Sequence, residues 1–185
     1  MKALHIVVRL SLAPVALAWL ASLAGATTLV RQGLDRLTVE SESIVEAKVL
    51  DIHSYWNAGH SFILTDVHVR PSRVLKGAPA GDVTFTVLGG SVGDVTTLVV
   101  GGADLAPGSD YVLFLAHADL PGAANRLTIR DHSQGVFDVV QGRAFSQAIE
   151  EPLLPDARGQ VDVVGGAEGV ALDDLIGQIR ALSNR

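Results

Sequence analysis

The stretch SIVEAKVLDIHSYWNAGHSFILTDVHVRPSRVLKG, residues 43–77, decides the fold. Apolar and polar residues alternate along both of its halves, which is typical of β-strands with one buried face. The segment SYWNAGH between the halves is rich in turn-forming residues, so the two strands are expected to form a hairpin. The residues predicted to face inward are Val45, Ala47 and Val49 in the first strand and Ile63, Thr65, Val67 and Val69 in the second.

The alternation changes phase at Leu50. Val49 continues the apolar face that precedes it, whereas Leu50 and Ile52 form the apolar pair that follows. A β-bulge produces this slip, and bulges bend strands around small barrels. In the second strand, Pro71 either ends the strand or places it at a sheet edge, because proline cannot donate to a β-ladder.

The remainder of the chain repeats short strand patterns and has helical periodicity only at its two ends. YVLFLAH, residues 111–117, is apolar on both faces and is predicted to be a central strand. DVTFTVL and VTTLVV are predicted strands, and LTIR, VFDVV, RAFS and VDVV are shorter candidates. Before the first strand, Val30, Leu34 and Leu37 have the spacing of a short amphipathic helix.

These patterns predict one mainly β domain. Its expected architecture is an OB-like, closed or partly open antiparallel barrel with a short N-terminal helix and a C-terminal amphipathic helix, residues 171–183. The apolar stripe of the C-terminal helix is expected to pack on the barrel rather than to dock a partner, since surface helices usually bury such a stripe. The stripe consists of Leu172, Leu175, Ile176, Ile179 and Leu182.

The first 26 residues have the features of a secretory signal peptide. Lys2 and Arg9 precede an apolar run over residues 10–24, and small residues follow at the spacing of a cleavage site. The run is shorter than the roughly 20 residues that a membrane span needs. We therefore predict a signal peptide over 1–26, a single domain over 27–185, no membrane insertion after cleavage, and a periplasmic or secreted protein.

Charge and cysteine content exclude two classes of function. The chain has a net charge of −6, and removal of the predicted signal peptide takes away two basic residues, so the mature protein would be more acidic still. An acidic chain lacks the electrostatic footprint of a nucleic-acid-binding protein. With no cysteine, it has no disulfide and no thiolate to act as a nucleophile or a metal ligand.

VLGGSVGDV, residues 87–95, contains the G-x-S-x-G spelling of a serine hydrolase around Ser91. A nucleophile elbow requires a helix directly after the serine, and the following DVTTLVV is rich in β-branched residues that favour a strand. The segment is therefore predicted to be a glycine-rich corner between two strands. A phosphate cradle is not expected either, because the Gly-Lys-Ser/Thr of a P-loop is missing.

Five possible metal ligands cluster around the predicted hairpin: Asp51, His53, His60, Asp66 and His68. Outward residues of paired strands approach one another, so four of the five could share a face. An ordinary solvated face has the same pattern, and no tight ligand motif is present. We predict no metal and no cofactor.

Two aromatic residues, Tyr55 and Trp56, lie at the loop of the predicted hairpin. Exposed aromatic side chains often anchor protein partners. A ring lying over the barrel mouth as a plug is the alternative. The candidate partner-binding residues are accordingly Tyr55, Trp56 and His60.

Three motifs carry a resemblance to known proteins. They are Val74-Leu75-Lys76-Gly77, the Gly-Gly after DVTFTVL, and APGSDYVLFL, residues 106–115. Over about residues 41–116 the chain resembles a set of exported bacterial proteins of unknown function. More distantly, it is similar to the inhibitory domain of tissue inhibitors of metalloproteinases and to netrin-like modules, which have an OB-type barrel. The resemblance implies the barrel. It implies no site residue, because those inhibitors use an N-terminal cysteine that this chain lacks.

The function predicted from the sequence is an exported, non-enzymatic binding module with a protein partner. Barrels of this kind bind through loops and one open face. Action on a secreted protease is the more specific form of this hypothesis. The alternative is a serine hydrolase that uses Ser91.

Overall fold

The computed structural model describes residues 30–150 and 168–184. The predicted signal peptide and the VDVV segment, residues 161–164, lie outside the described residues. Within these residues the chain forms ten β-strands and two α-helices, with short 3-10 helices at His132–Gly135 and Gln147–Glu150. The elements are α1 (Leu34–Glu40), β1 (Ser43–Trp56), β2 (Ile63–Lys76), β3 (Val83–Leu88), β4 (Gly90–Val92), β5 (Val95–Thr97), β6 (Asp110–Leu120), β7 (Ala123–Ile129), β8 (Val136–Val140), β9 (Arg143–Ser146), β10 (Val170–Ala171) and α2 (Leu172–Ser183).

Eight of the strands form one antiparallel sheet. Its order is β10-β9-β8-β6-β1-β2-β3, and β7 pairs with the second half of β6, while β4 and β5 form a separate two-stranded ribbon. The sheet curls so that Cα atoms of β3 and β7 come within 8 Å of each other, but no ladder joins these two strands. The prediction of a mainly β antiparallel fold with a helix near each end is confirmed. A closed barrel is not found in the described part of the chain.

The bulge predicted in β1 is present. Val49 lies opposite Val69 and Asp51 lies opposite His68, so Leu50 has no partner in the ladder. β2 continues through Pro71, which lies opposite Ala47. Beyond Val69, β2 pairs only with β1, so the prediction that proline marks a sheet edge is correct.

The start of β1, at Ile44 and Val45, and residues 111–116 of β6 are buried on both faces, which explains the continuous apolar run in β6. On one face, Ile44 and Phe114 pack with the apolar sides of α1 and α2. On the other, Val45 and Leu113 belong to a second core inside the curl of the sheet, together with Phe85 of β3. We call the first the helix-side core and the second the inner core.

Helix α2 buries its apolar stripe against the sheet, as predicted. Leu172, Leu175, Ile176 and Ile179 are buried, and Leu182 is partly buried against the same core. Asp173 lies in the first turn, where it also receives the Arg73 guanidinium of β2 at 3.1 Å. A carboxylate in this position is favourable because the N-terminal end of a helix carries a partial positive charge.

The prediction of a strand over VTTLVV, residues 95–100, is wrong in its second half. β5 ends at Thr97, and the next residues turn, with Gly102 N–H donating to the Val99 carbonyl at 2.9 Å. Leu98 and Val100 are 88% and 80% exposed. β-branched composition favours a strand only where a neighbouring strand supplies a ladder and a buried face, and this segment has neither.

The motif Val74-Leu75-Lys76-Gly77 joins β2 to helix α1. Lys76 Nζ donates to the carbonyl oxygens of Thr38 and Val39 at 2.7 and 2.9 Å, at the C-terminal end of α1, where the helix dipole favours a cation. Gly77 has φ +77°, and a Cβ atom at this position would lie 2.6 Å from the Glu42 carbonyl oxygen. The most specific motif of the resemblance therefore has a structural role.

Lys76→Met is expected to lower the free energy of unfolding by about 1–2 kcal/mol, because two hydrogen bonds from a charged donor are lost at a helix end. The measurement is urea unfolding followed by circular dichroism. Lys48→Met is the matched control: Lys48 Nζ also makes two hydrogen bonds, to the Gly108 carbonyl and to Asp110, but both are exposed and neither is at a helix end, so their loss should cost less than about 1 kcal/mol. Equal losses in the two variants would contradict the role given to Lys76.

Candidate functional site

Ser91 lies on a β-hairpin and not on a nucleophile elbow. It belongs to β4, and the chain turns at Gly93 and Asp94 directly into β5, with no helix after the serine. Its hydroxyl is exposed and shares a hydrogen bond of 2.8 Å with Thr96 Oγ1 across the ribbon. The corner between strands predicted for VLGGSVGDV is thus observed, and the strand-to-helix turn that exposes a catalytic serine is not formed here.

The glycines before Ser91 allow the ribbon to approach the main sheet. Gly89 N–H donates to the Ile63 carbonyl at 2.8 Å. Gly90 has φ +121°, and a Cβ atom on it would lie 2.2 Å from Thr65 Oγ1 and 2.4 Å from Ser54 Oγ. Only glycine fits so close to these two hydroxyls. Gly89 and Gly90 therefore let the ribbon backbone pack directly against strands β1 and β2.

Beneath the ribbon, the inner core opens into a cavity of about 400 Å³. We call it the ribbon cavity. One wall comes from inward-facing residues of β1, β2 and β3, and the other comes from the ribbon and the segment 98–105 that follows it. The lining residues are Ile52, Ser54, Thr65, Val67, Val87, Leu88, Gly89, Gly90, Ser91, Thr96, Thr97, Leu98, Val99, Gly102, Ala103, Asp104 and Leu105.

The outer wall of the ribbon cavity is held by two polar side chains, one distant in sequence and one close to the wall segment. The Gln147 amide donates to the Asp104 carbonyl at 2.6 Å and accepts from the Asp104 N–H at 2.9 Å. The buried Tyr111 hydroxyl accepts from the Ala106 N–H at 2.9 Å. Neither residue was predicted from the sequence: Gln147 acts on backbone 43 residues away, and Tyr111 acts on a turn 5 residues before it, whose conformation forms only on folding.

Asp138 adds a second carboxyl close to Asp104. Its Oδ1 accepts a hydrogen bond of 2.9 Å from the Gln147 amide, the same nitrogen that reaches the Asp104 carbonyl. Burial raises the pKa of the Asp138 carboxyl above its ordinary value, and the negative charge of Asp104 raises it further, while the Gln147 hydrogen bond opposes the change. This corner of the molecule is consequently unfavourable for additional negative charge.

The four outward residues considered as metal ligands do lie together on the β1–β2 hairpin. Asp51 is opposite His68, and His53 is opposite Asp66. Asp66 Oδ1 is engaged by Thr86 Oγ1 at 2.6 Å and by the Tyr55 hydroxyl at 3.1 Å. Among the described residues, no group of three or more His, Asp or Glu side chains is arranged to hold a metal ion.

Of the three predicted partner-binding residues, only His60 lies in the hairpin loop. The prediction that Tyr55 and Trp56 lie in the loop is wrong, because they are the last two residues of β1 and pair with Leu64 and Ile63 of β2. The Trp56 and His60 rings stack with their centroids 6.0 Å apart, and Phe62, at the end of the same loop, is 40% exposed. Tyr55 behaves differently, because its hydroxyl is committed to Asp66, and burial together with that carboxylate raises its pKa. Trp56 does not line the ribbon cavity.

The buried Asn57 gives the loop a fixed conformation. Its Oδ1 accepts from the backbone N–H of Ser61 at 2.8 Å and of Phe62 at 3.2 Å, and its own N–H donates to the Phe62 carbonyl. Gly122, in the turn between β6 and β7, packs so closely that a Cβ atom there would lie 1.9 Å from Asn57 Nδ2. Asparagine often stabilises turns in this way, although nothing in the sequence indicated a partner 65 residues away.

A second cleft lies between β6, β7 and the segment before α1. Asp131 and His132 line it with φ of +52° and +59°, and Arg130 pairs with Glu40 across its edge. The buried Gln134 amide bridges this cleft to the N-terminal segment, accepting from Gln32 N–H at 2.7 Å. These contacts connect the N-terminal segment and α1 to the segment after β7, so the cleft lies at a junction between elements.

Comparison with known proteins identifies no family for the chain. No protein-family model matches the sequence, and a search of curated proteins found no match. Over residues 30–150 and 168–184, no helix combines the length and the apolar character needed to cross a membrane.

Gly90→Ala is expected to lower the free energy of unfolding by about 2 kcal/mol or more, since the added methyl group collides with two hydroxyls and φ is unfavourable. Gly93→Ala is the matched control: it also has a positive φ, but no atom lies within 4 Å of the added Cβ, so only a backbone cost of about 1 kcal/mol applies. Urea unfolding measures both. A loss for Gly90→Ala no larger than for Gly93→Ala would refute the close approach.

Proposed function

We propose that this protein is an exported binding module with an OB-like, partly open barrel, and that a protein partner contacts the β1–β2 loop. The support for the barrel is the curl of the sheet, which encloses the inner core and brings β3 near β7 without pairing. The sequence features of residues 1–26 support export. The observation that carries the binding role is the stacked pair of Trp56 and His60, together with the exposed Phe62 on the same loop, whose conformation is fixed by Asn57.

A fixed aromatic loop is suited to recognition for two physical reasons. Aromatic rings bury a large area while losing little side-chain entropy, so they often contribute most of the energy of an interface. The loop conformation is determined in advance by hydrogen bonds to Asn57, so little ordering cost remains to be met on association. Inhibition of a secreted protease is the more specific form of this proposal, although the resemblance over residues 41–116 supports the barrel and not an inhibitory residue.

The hydrolase alternative has less support. Ser91 Oγ pairs with a threonine hydroxyl, which cannot act as a general base as histidine does in serine hydrolases. The Gly89 and Gly90 backbone is used for packing on β1 and β2 and presents no helix N-terminus that could hold an oxyanion. The geometry around Ser91 therefore favours binding over hydrolysis.

The test places the photocrosslinker p-benzoylphenylalanine at position 62 of the full chain in its native envelope. We expect a discrete adduct, identified by mass spectrometry, whose yield falls at least about fivefold in the Trp56→Ala background because a central aromatic anchor is lost. The control carries the same crosslinker at position 180, on the exposed side of α2. Equal adduct yields at positions 62 and 180, or a yield at position 62 that does not depend on Trp56, would refute the proposal.

A further inference from the structure

We infer that the ribbon cavity is a binding site for a mostly apolar small molecule that carries a hydrogen-bond donor and no negative charge. The site shares no residue with the aromatic loop of the proposed protein-binding surface. It therefore adds a second kind of ligand to the proposed function and does not depend on it.

The size and the lining of the cavity fit a small molecule. Its volume of about 400 Å³ falls within the range of roughly 300–1,000 Å³ that is common for ligand sites. Its floor is formed by Ile52, Val67 and Val87, which continue the inner core, and Leu105 faces them from the outer wall. Buried apolar surface of this kind provides affinity without selecting for charge.

The hydroxyls in the cavity indicate which hydrogen-bonding group the ligand carries. Thr65 Oγ1 donates its only hydrogen to the Gly89 carbonyl at 2.6 Å. In the 2.8 Å bond between Ser54 Oγ and Thr65 Oγ1, Ser54 is consequently the donor. The Ser54 oxygen is left with acceptor lone pairs, and a ligand N–H or O–H is the group that matches them.

The charges around the cavity exclude an anion. Asp104 is the one charged residue among the described residues that line it, and Asp138 lies behind Asp104 through their shared contact with Gln147. A carboxylate, sulfonate or phosphate in the cavity would be repelled and would find no Lys, Arg or His side chain in the lining. A molecule without negative charge meets no such penalty, and an uncharged probe tests the apolar lining without a contribution from charge.

The rim of the cavity has apolar surface that a ligand would cover. Leu98 lines the cavity and is 88% exposed, on a segment that leaves the ribbon as an open turn. Burial of such a side chain by a bound molecule is favourable, since about 25 cal/mol is gained for each Å² of apolar surface removed from water. The segment is anchored at Asp104 and Ala106, so the rim has a fixed base.

The probe for this site is N-phenyl-1-naphthylamine, which is neutral and apolar and has one N–H donor. Its fluorescence should rise on addition of the purified full chain, with saturation at a Kd on the order of 10 µM. The matched comparison is 8-anilinonaphthalene-1-sulfonate, which has the same aromatic amine with an added negative charge. It should bind at least about tenfold more weakly.

Val87→Phe fills the cavity from β3, and Ala103→Phe fills it from the outer wall. Each variant is expected to weaken binding of the neutral probe by at least about tenfold, and Ser54→Ala by about three- to tenfold through loss of the acceptor. Val95→Phe adds the same ring to an exposed residue that does not line the cavity, so it should leave the Kd unchanged. Thermal unfolding verifies that each variant is folded.

Trp56→Ala separates this site from the protein-binding loop, because it should reduce crosslinking at position 62 and leave the Kd of the neutral probe unchanged. The inference is overturned by any of three results: the neutral probe does not bind the folded protein, its Kd is unchanged in both folded phenylalanine variants, or the sulfonate binds as tightly as the neutral probe.

Discussion

The bulge at Leu50 is the constraint on which the rest of the structure depends. Before it, β1 pairs with both β2 and β6 and is buried on two faces; after it, β1 keeps only β2 as a ladder partner. The extra residue restores inward-facing positions for Ile52 and Ser54 after the change of phase. One strand thereby supplies a tightly packed core at one end and the wall of an open cavity at the other.

The two faces of β1 and β6 explain why the fold needs both helices and a curled sheet. Helices α1 and α2 cover one face, with Leu175 and Ile179 among the buried residues, and the curl of the sheet covers the other. The ribbon then closes part of the open end, and this is possible because Gly90 lies against the hydroxyls of Ser54 and Thr65. Three of the sequence motifs are thus used in architecture: Lys76 at the end of α1, Gly90 under the ribbon, and Tyr111 against the segment that precedes it.

The features of the fold that depend only on neighbouring residues were predicted correctly from the sequence. The alternation in β1 and β2, the phase change at Leu50 and the two-sided burial of β6 could all be read from neighbouring residues, because strand faces repeat every two positions. The extension of β5 through Val100 could not be judged in this way, since it depended on whether another strand lay alongside. The side-chain amides of Asn57, Gln134 and Gln147 were also missed. Each holds backbone that is remote in sequence or fixes a turn through contacts that only the folded chain creates.

The most direct measurement of the central claim is methyl NMR of the isotope-labelled protein titrated with N-phenyl-1-naphthylamine. If the bulge separates a closed core from an open cavity, the methyl signals of Ile52, Val67, Val87 and Leu105 should shift with a common saturation curve. Those of Ile44, Val112 and Leu175 in the helix-side core should stay in place. Shifts confined to the helix-side core, or spread equally over both sets of methyl groups, would contradict the account.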